Sequence, residues 1–120
     1  MKKKTLVVGA SPKPDRYGYK AVDRLTHYNY PVYAYGIHSG AIGEIEISSE
    51  WPKEEEFDTV TLYLNPKRQE EYYDRILALK PKRVIFNPGT ENSEFQKMLS
   101  ANEIGFEEAC TLVLLSIGSY

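Results

Sequence analysis

The chain has 120 residues, 42% of them apolar, with a formal net charge of −2 and an isoelectric point near 5.7. That length suits one domain with one core, and the acidic balance excludes a general nucleic-acid binder, which carries a basic face and a high isoelectric point. The single cysteine builds neither a disulfide framework nor a cysteine-based zinc site.

No apolar run approaches the roughly 20 residues that span a bilayer. No long apolar segment follows the first lysines, as a signal peptide requires. A cytoplasmic protein with neither membrane nor nucleic-acid partners is expected. Lys2-Lys3-Lys4 reads as a solvated end.

Thr5-Leu6-Val7-Val8 is a short apolar run of strand type. It leads into Gly9-Ala10-Ser11-Pro12-Lys13-Pro14-Asp15-Arg16-Tyr17-Gly18-Tyr19 and then into a helical pattern. A strand, a turn rich in Gly, Ser and Pro with basic residues, and a helix N-terminus together form an anion cradle. Ser11 stands where the dinucleotide pattern G-x-G-x-x-G has its second glycine, so the turn points to a phosphate-bearing ligand outside that fingerprint. The helix is predicted from Asp15 or Gly18 to about Tyr28, with Ala21, Val22, Leu25 and Tyr28 on one face.

Val32 to Tyr35 reads as the second strand. Its alternate tyrosines are expected to pack their rings on the core edge and keep their hydroxyls in water. Tyr35-Gly36-Ile37-His38 follows, with no acid until Glu44, whereas an NAD site places a carboxylate at this point for the ribose. His38 is a candidate contact for a phosphate or an adenine, and reads as easily as a plain loop residue. Gly40 and Gly43 mark turns, and Glu44-Ile45-Glu46-Ile47 alternates like a short exposed strand. Glu54 to Glu56 read as a solvated face.

Asp58 to Leu64 is the third strand. Asn65-Pro66 supplies an N-cap and a first-turn proline, so a helix starts there; Tyr72, Tyr73, Ile76 and Leu77 form its apolar face, and Pro81 ends it. Arg83 to Phe86 is the fourth strand and again meets Asn-Pro, at Asn87-Pro88-Gly89, where Gly89 suits a turn of positive φ. A third helix, near Glu91 to Glu103, buries Phe95, Met98 and Leu99, with Gly105 as its stop. Phe106 to Ala109 is a fifth strand. Thr111 to Ile117 is apolar all round, and periodicity leaves helix and strand open.

Strands alternating with helices over one domain, 1–120, imply an α/β fold with an open, mostly parallel sheet of about five strands and helices on both faces. Ligands of such sheets sit beyond the strand carboxyl ends. There Gly9 allows close approach, Ser11 offers a hydroxyl or a helix cap, Lys13 and Arg16 supply charge, Tyr17 and Tyr19 offer rings, and Asn65 and Asn87 bring amides. Cys110 is the one candidate nucleophile, next to a helix N-terminus if Thr111 opens a helix, although a buried structural thiol is the more frequent case. His27, His38 and Cys110 lack metal-ligand spacing, so no metal is expected.

Val7-Val8-Gly9-Ala10-Ser11 with Pro14 and Arg16-Tyr17-Gly18 resembles the opening of the small single-domain CoA-binding proteins related to the CoA-binding domain of succinyl-CoA synthetase alpha subunits. Asn87-Pro88-Gly89-Thr90-Glu91-Asn92 and Glu108-Ala109-Cys110-Thr111-Leu112-Val113 resemble two further motifs of that family. The resemblance implies a Rossmann-like fold holding coenzyme A or an acyl-CoA, a nucleotide thioester. Gly9, Ala10 and Ser11 would face the pyrophosphate, Lys13 and Arg16 would lie near phosphate, and the residues after the second strand would approach the adenosine. The pantetheine arm would run over the Asn65-Pro66 and Asn87-Pro88-Gly89 turns, with Cys110 near the thiol end.

The segment Ile37 to Trp51 departs from the family's commonest pattern, an Asn-Pro after the second strand. The chain also lacks the synthetases' second domain with its phosphorylated histidine. Ligase activity is therefore not implied, and the leading expectation is a protein that binds CoA or an acyl-CoA without catalysis of its own. The alternatives are an enzyme using Cys110 for CoA thiol or thioester exchange, an NAD(P)-binding redox-sensing module, and an interaction module that pairs with a ligase-like chain. The tyrosines permit a homodimer without requiring one.

Overall fold

The computed structural model describes residues 3–53 and 56–120. Lys2, Glu54 and Glu55 lie outside the described residues. Lys3 and Lys4 are not a free solvated end: their ammonium groups sit 5.7 Å and 5.4 Å from the ring centres of Tyr120 and Phe57.

β1 (Thr5–Val8) lies near the centre of a seven-stranded sheet. All four of its residues are buried, because it is covered on both faces, as parallel strands usually are. On one side it pairs in parallel with β2 (Val32–Tyr35), and on the other with β5 (Thr59–Leu62). The order is β3-β4-β2-β1-β5-β6-β7, with β6 at Arg83–Phe86 and β7 at Gly105–Glu108. The count exceeds the expected five because Gly40–Ile42 (β3) and Ile45–Ser48 (β4) form a hairpin, and β4 adds in parallel to β2. Among the strands of the described residues, only β3 runs antiparallel to its neighbour. β3 carries two exposed residues out of three, so it has no apolar run by which a sequence reveals a strand.

Alternation along β1 divides the core. Leu6 and Val8 face Val60, Tyr72, Ile76, Phe86, Phe95 and Leu99, and Val7 faces Val22, Leu25, Ile85 and Leu115. The first face is covered by α3 (Tyr73–Leu79) and α4 (Ser93–Ala101), and the chain reaches it from β5 through α2 (Pro66–Gln69) and the short 3-10 turn after it. The second is covered by α1 (Tyr17–His27) and α5 (Thr111–Ser116). Thr111 to Ser116 is thus a helix, with Thr111 and Leu115 buried.

Asn65 caps α2 as expected, its Oδ1 accepting from the Arg68 amide at 2.9 Å. Gly105 is not the stop of α4: Glu103 takes the left-handed conformation (φ 58) that ends it, and Gly105 opens β7. The tyrosine hydroxyls of β2 are not left to water either. Tyr33 donates to the Glu50 carbonyl at 2.7 Å while its ring meets Phe57 edge-on, and the Tyr35 hydroxyl pairs with that of Tyr72 at 3.1 Å while its ring meets Trp51.

The two neighbours β1 and β5 send their helices to opposite faces, α1 to one and α2 to the other. Their loops diverge at the carboxyl edge and open a crevice, which is where open α/β sheets take ligands.

Candidate functional site

The crevice is an open cleft of about 450 Å³. That volume falls within the range of small-molecule sites. Its floor is the β1–α1 turn. Gly9 holds φ at +102°, and a Cβ there would stand 2.9 Å from the Tyr63 carbonyl oxygen, so the turn needs glycine on both counts. Gly18, in the first turn of α1, lies so close to Gly9 that a Cβ on it would come within 2.3 Å of the Gly9 oxygen.

The donors of the cradle differ from the expected ones. The Gly9 and Ala10 amides both donate to the Tyr35 carbonyl, at 3.0 and 2.9 Å, and so are spent on joining the turn to β2. Ser11 does not cap α1: its Oγ accepts from the Lys13 amide at 3.2 Å and shapes the loop. The N-cap of α1 is Arg16, whose side chain makes no capping bond. The first-turn amides of a helix have no intrahelical acceptor, and Tyr17 and Gly18 line the cleft. The backbone donors left free to meet a ligand on this wall are those of the first turn of α1.

Charge agrees with this. Lys13, Arg16 and Arg68 line the cleft together with His38, and among the described residues no Asp or Glu does, although the chain as a whole is acidic. Two exposed apolar side chains, Tyr17 (64% accessible) and Ile37 (59%), stand on its rim. The Lys20 ammonium lies 5.1 Å from the Tyr17 ring centre. The remaining wall is Leu64, Asn65, Pro88, Gly89 and Thr90 from the ends of β5 and β6.

Ten of the candidate residues thus converge: Gly9, Ala10, Ser11, Lys13, Arg16, Tyr17, His38, Asn65, Pro88 and Gly89 all border the cleft. Pro66, Asn87 and Cys110 do not border it, and neither does Tyr19, which packs beside the α1 core. The Asn87 side chain is buried behind the wall. Its Nδ2 donates to Thr61 Oγ1 (2.6 Å) and the Leu62 carbonyl (2.9 Å), and its Oδ1 accepts from the Thr111 amide (2.9 Å). Asn87 therefore ties β6 to β5 and α5. Cys110 is half-buried at the start of α5, and among the described residues no cluster of His, Cys, Asp and Glu has the makings of a metal site.

Tyr63 forms part of the cleft wall, yet its hydroxyl is buried and has no hydrogen-bond partner. Thr61 and Thr111 lie near it but are bonded to each other at 2.8 Å. Burial pushes the Tyr63 phenol well above its ordinary pKa. Sequence reading assigned no role to Gly18 as a spacer, or to Tyr63, Arg68 and Thr90. Arg68 had a readable signal, since it follows Asn65-Pro66 by one short turn of helix.

The model of the CoA binding domain matches residues 3–116. The chain belongs to the CoA-binding domain family. The resemblance read from the three motifs is thereby upheld, and so is the Rossmann-like class. A crystal structure of an uncharacterized protein is 48% identical, with a TM-score of 0.96 over 100% of this chain and 99% of that one. A hypothetical protein from Pyrococcus horikoshii OT3 is 27% identical, with a TM-score of 0.80 over 93% of this chain and 80% of that one. A Thermus thermophilus protein at 22% identity shares the fold, with a TM-score of 0.84 over 99% and 91% of the two chains. No curated protein matches the chain. Among the described residues of this family member, no helix is long and apolar enough to cross a membrane.

Proposed function

We propose that the protein binds coenzyme A or an acyl-CoA in the cleft at the carboxyl edge of its sheet. The observation that carries this reading is a cleft edged by three permanent cations and by an uncapped helix, with no carboxylate among the described residues of its walls. Charge-assisted bonds there would offset the cost of desolvating an anionic ligand.

The diphosphate meets the first turn of α1, with Lys13 and Arg16 beside it. Adenosine extends past Gly36, Ile37 and His38, between the rim side chains Tyr17 and Ile37. The pantetheine arm runs over Asn65 and the Pro88-Gly89-Thr90 turn, and the ligand supplies the thiol or thioester. The stretch that borders the adenosine end, Tyr35-Gly36-Ile37-His38, offers no carboxylate for a ribose, which disfavours NAD. Cys110 does not border the cleft, so the reading assigns it no step.

Calorimetric titration with CoA, dephospho-CoA and NADH tests the reading. Binding of both CoA forms with NADH silent is the expected result. Binding of NADH with no response to millimolar CoA would overturn it. Arg16→Ala separates two roles: equal losses for CoA and dephospho-CoA place Arg16 at the diphosphate, and a loss confined to CoA places it at the 3′-phosphate.

A further inference from the structure

The cleft has two walls, and its cations stand on both of them. Lys13 and Arg16 belong to the loop that leads to α1, on the sheet face with Val22 and Leu25. Arg68 belongs to the first turn of α2, which leads to the opposite face with Tyr72 and Ile76. The two loops leave adjacent parallel strands, β1 and β5, whose spacing is close to 5 Å. A group lying in the split between them is flanked by both.

The Arg68 backbone is held in place, because its amide donates to Asn65 Oδ1 at 2.9 Å. Asn65 and Arg68 both border the cleft. Helical side chains lean back toward the helix N-terminus, which directs a long side chain in the first turn of α2 toward the cleft. The residue is exposed, and its guanidinium has neither an ion pair nor a hydrogen bond with a described residue. Glu70, Glu71 and Asp74 follow it in the chain, and none forms an ion pair with it within 4.0 Å.

We infer that Arg68 is the opposing jaw of a phosphate clamp: it grips the ligand's diphosphate from the β5 wall while Lys13, Arg16 and the α1 amides hold it from the β1 wall. This rests on the proposed binding of a CoA-type ligand and adds a residue and a selectivity to it. A guanidinium presents a planar fork of donors that engages two phosphate oxygens at once. Two walls of charge make the diphosphate the group that is read. The ligand class is then an organic diphosphate carrying a pantetheine arm, and the 3′-phosphate is outside the reach of this residue.

The test compares the intact protein with Arg68→Gln and Arg68→Lys by calorimetry, using CoA, dephospho-CoA and phosphate-free pantetheine at one fixed salt concentration. Charge-assisted bonds predict that Arg68→Gln weakens CoA and dephospho-CoA by the same factor, about tenfold or more. Arg68→Lys recovers part of that loss, and pantetheine binding does not change. The side chain is exposed, so the melting temperature stays at the wild-type value and loss of fold is not a confounder. Undiminished binding of both nucleotides by Arg68→Gln overturns the clamp and leaves CoA binding in place. A loss for CoA with none for dephospho-CoA overturns it as well, since Arg68 then reads the 3′-phosphate. If the wild-type protein binds neither nucleotide, the proposed function falls and the clamp falls with it.

Discussion

Replacing Gly18 with alanine tests how α1 is docked on the phosphate turn. In an open helix this change stabilises by about 1 kcal/mol through helix propensity. Here the added Cβ would meet the Gly9 carbonyl oxygen at 2.3 Å, the Gly9 carbonyl carbon at 3.1 Å and Ala10 Cα at 3.2 Å. All three atoms are backbone, in a turn anchored by two bonds to the Tyr35 carbonyl, so no side chain can swing aside. α1 must move back by roughly an ångström. Overpacking costs about 1–3 kcal/mol, and a rigid neighbour puts this site at the upper end. After subtracting the propensity gain, a net loss of about 2 kcal/mol remains, which lowers the melting temperature by roughly 8 °C for a domain of this size. The same displacement takes the α1 amides out of hydrogen-bond range of a phosphate, so CoA affinity falls by about tenfold. Thermal melts and calorimetry of Gly18→Ala are compared with Asp23→Ala, an exposed change in the same helix that shows the bare propensity gain. If Gly18→Ala gains stability as Asp23→Ala does and binds CoA normally, the tight docking of α1 on Gly9 is refuted.

Asn87→Ala removes two donated bonds and one accepted bond from a buried site; a loss of about 3 kcal/mol in urea denaturation is expected, and a loss under 1 kcal/mol contradicts the structural role. Tyr63→Phe deletes a buried hydroxyl that lacks a partner, so stability should hold or rise by up to about 1 kcal/mol; a fall larger than that would show the hydroxyl to be bonded. Alkaline pH should destabilise the protein. Burial raises the pKa of Tyr63 and Tyr120 in the folded state above the ordinary value of 10.0. Their stabilising contribution is full below pH 10 and declines above it, where the unfolded chain releases protons that the native state keeps, at about 1.4 kcal/mol per pH unit for each tyrosine. Urea midpoints measured from pH 9 to 11.5 give that slope, and Tyr63→Phe should make it shallower.

Where chemistry is local, the sequence was sufficient. Val32–Tyr35 and Arg83–Phe86 are short apolar runs closed by turn residues, and both form strands with the boundaries read from them. Asn65-Pro66 announces a helix because cap and first-turn proline act within four residues. What escaped depends on contacts distant in the chain. Gly40–Ile42 becomes a strand because β4 and the α1 loop lie beside it, and a Cβ on Gly40 would press Pro12 at 2.6 Å. Asn65 and Asn87 are both Asn-Pro turns at strand ends, yet one borders the cleft and the other is buried in a network with Thr61 and Thr111. The difference arises from α5, whose Thr111 amide arrives from 24 residues further along the chain. No local pattern carries that information.

The Gly9 and Ala10 amides, spent on Tyr35, are closed to the proposed anionic ligand. In a cradle of turn amides, the ligand supplies acceptors that the empty turn lacks, and the loop orders on binding. In this chain β2 supplies the acceptor, so the floor is finished before any ligand arrives. Under the proposed function, phosphate would then meet the uncapped start of α1 and cations on exposed side chains. Interactions of exposed charges weaken as salt shortens the Debye length, whereas helix amides held by packing lose less. A two-part response to salt follows: affinity should fall steeply up to physiological ionic strength as the Lys13, Arg16 and Arg68 contributions are screened, then level off at the share held by α1. Neutralising all three side chains should leave only that plateau, whereas a salt response that persists in the triple variant would place the decisive charges elsewhere in the protein.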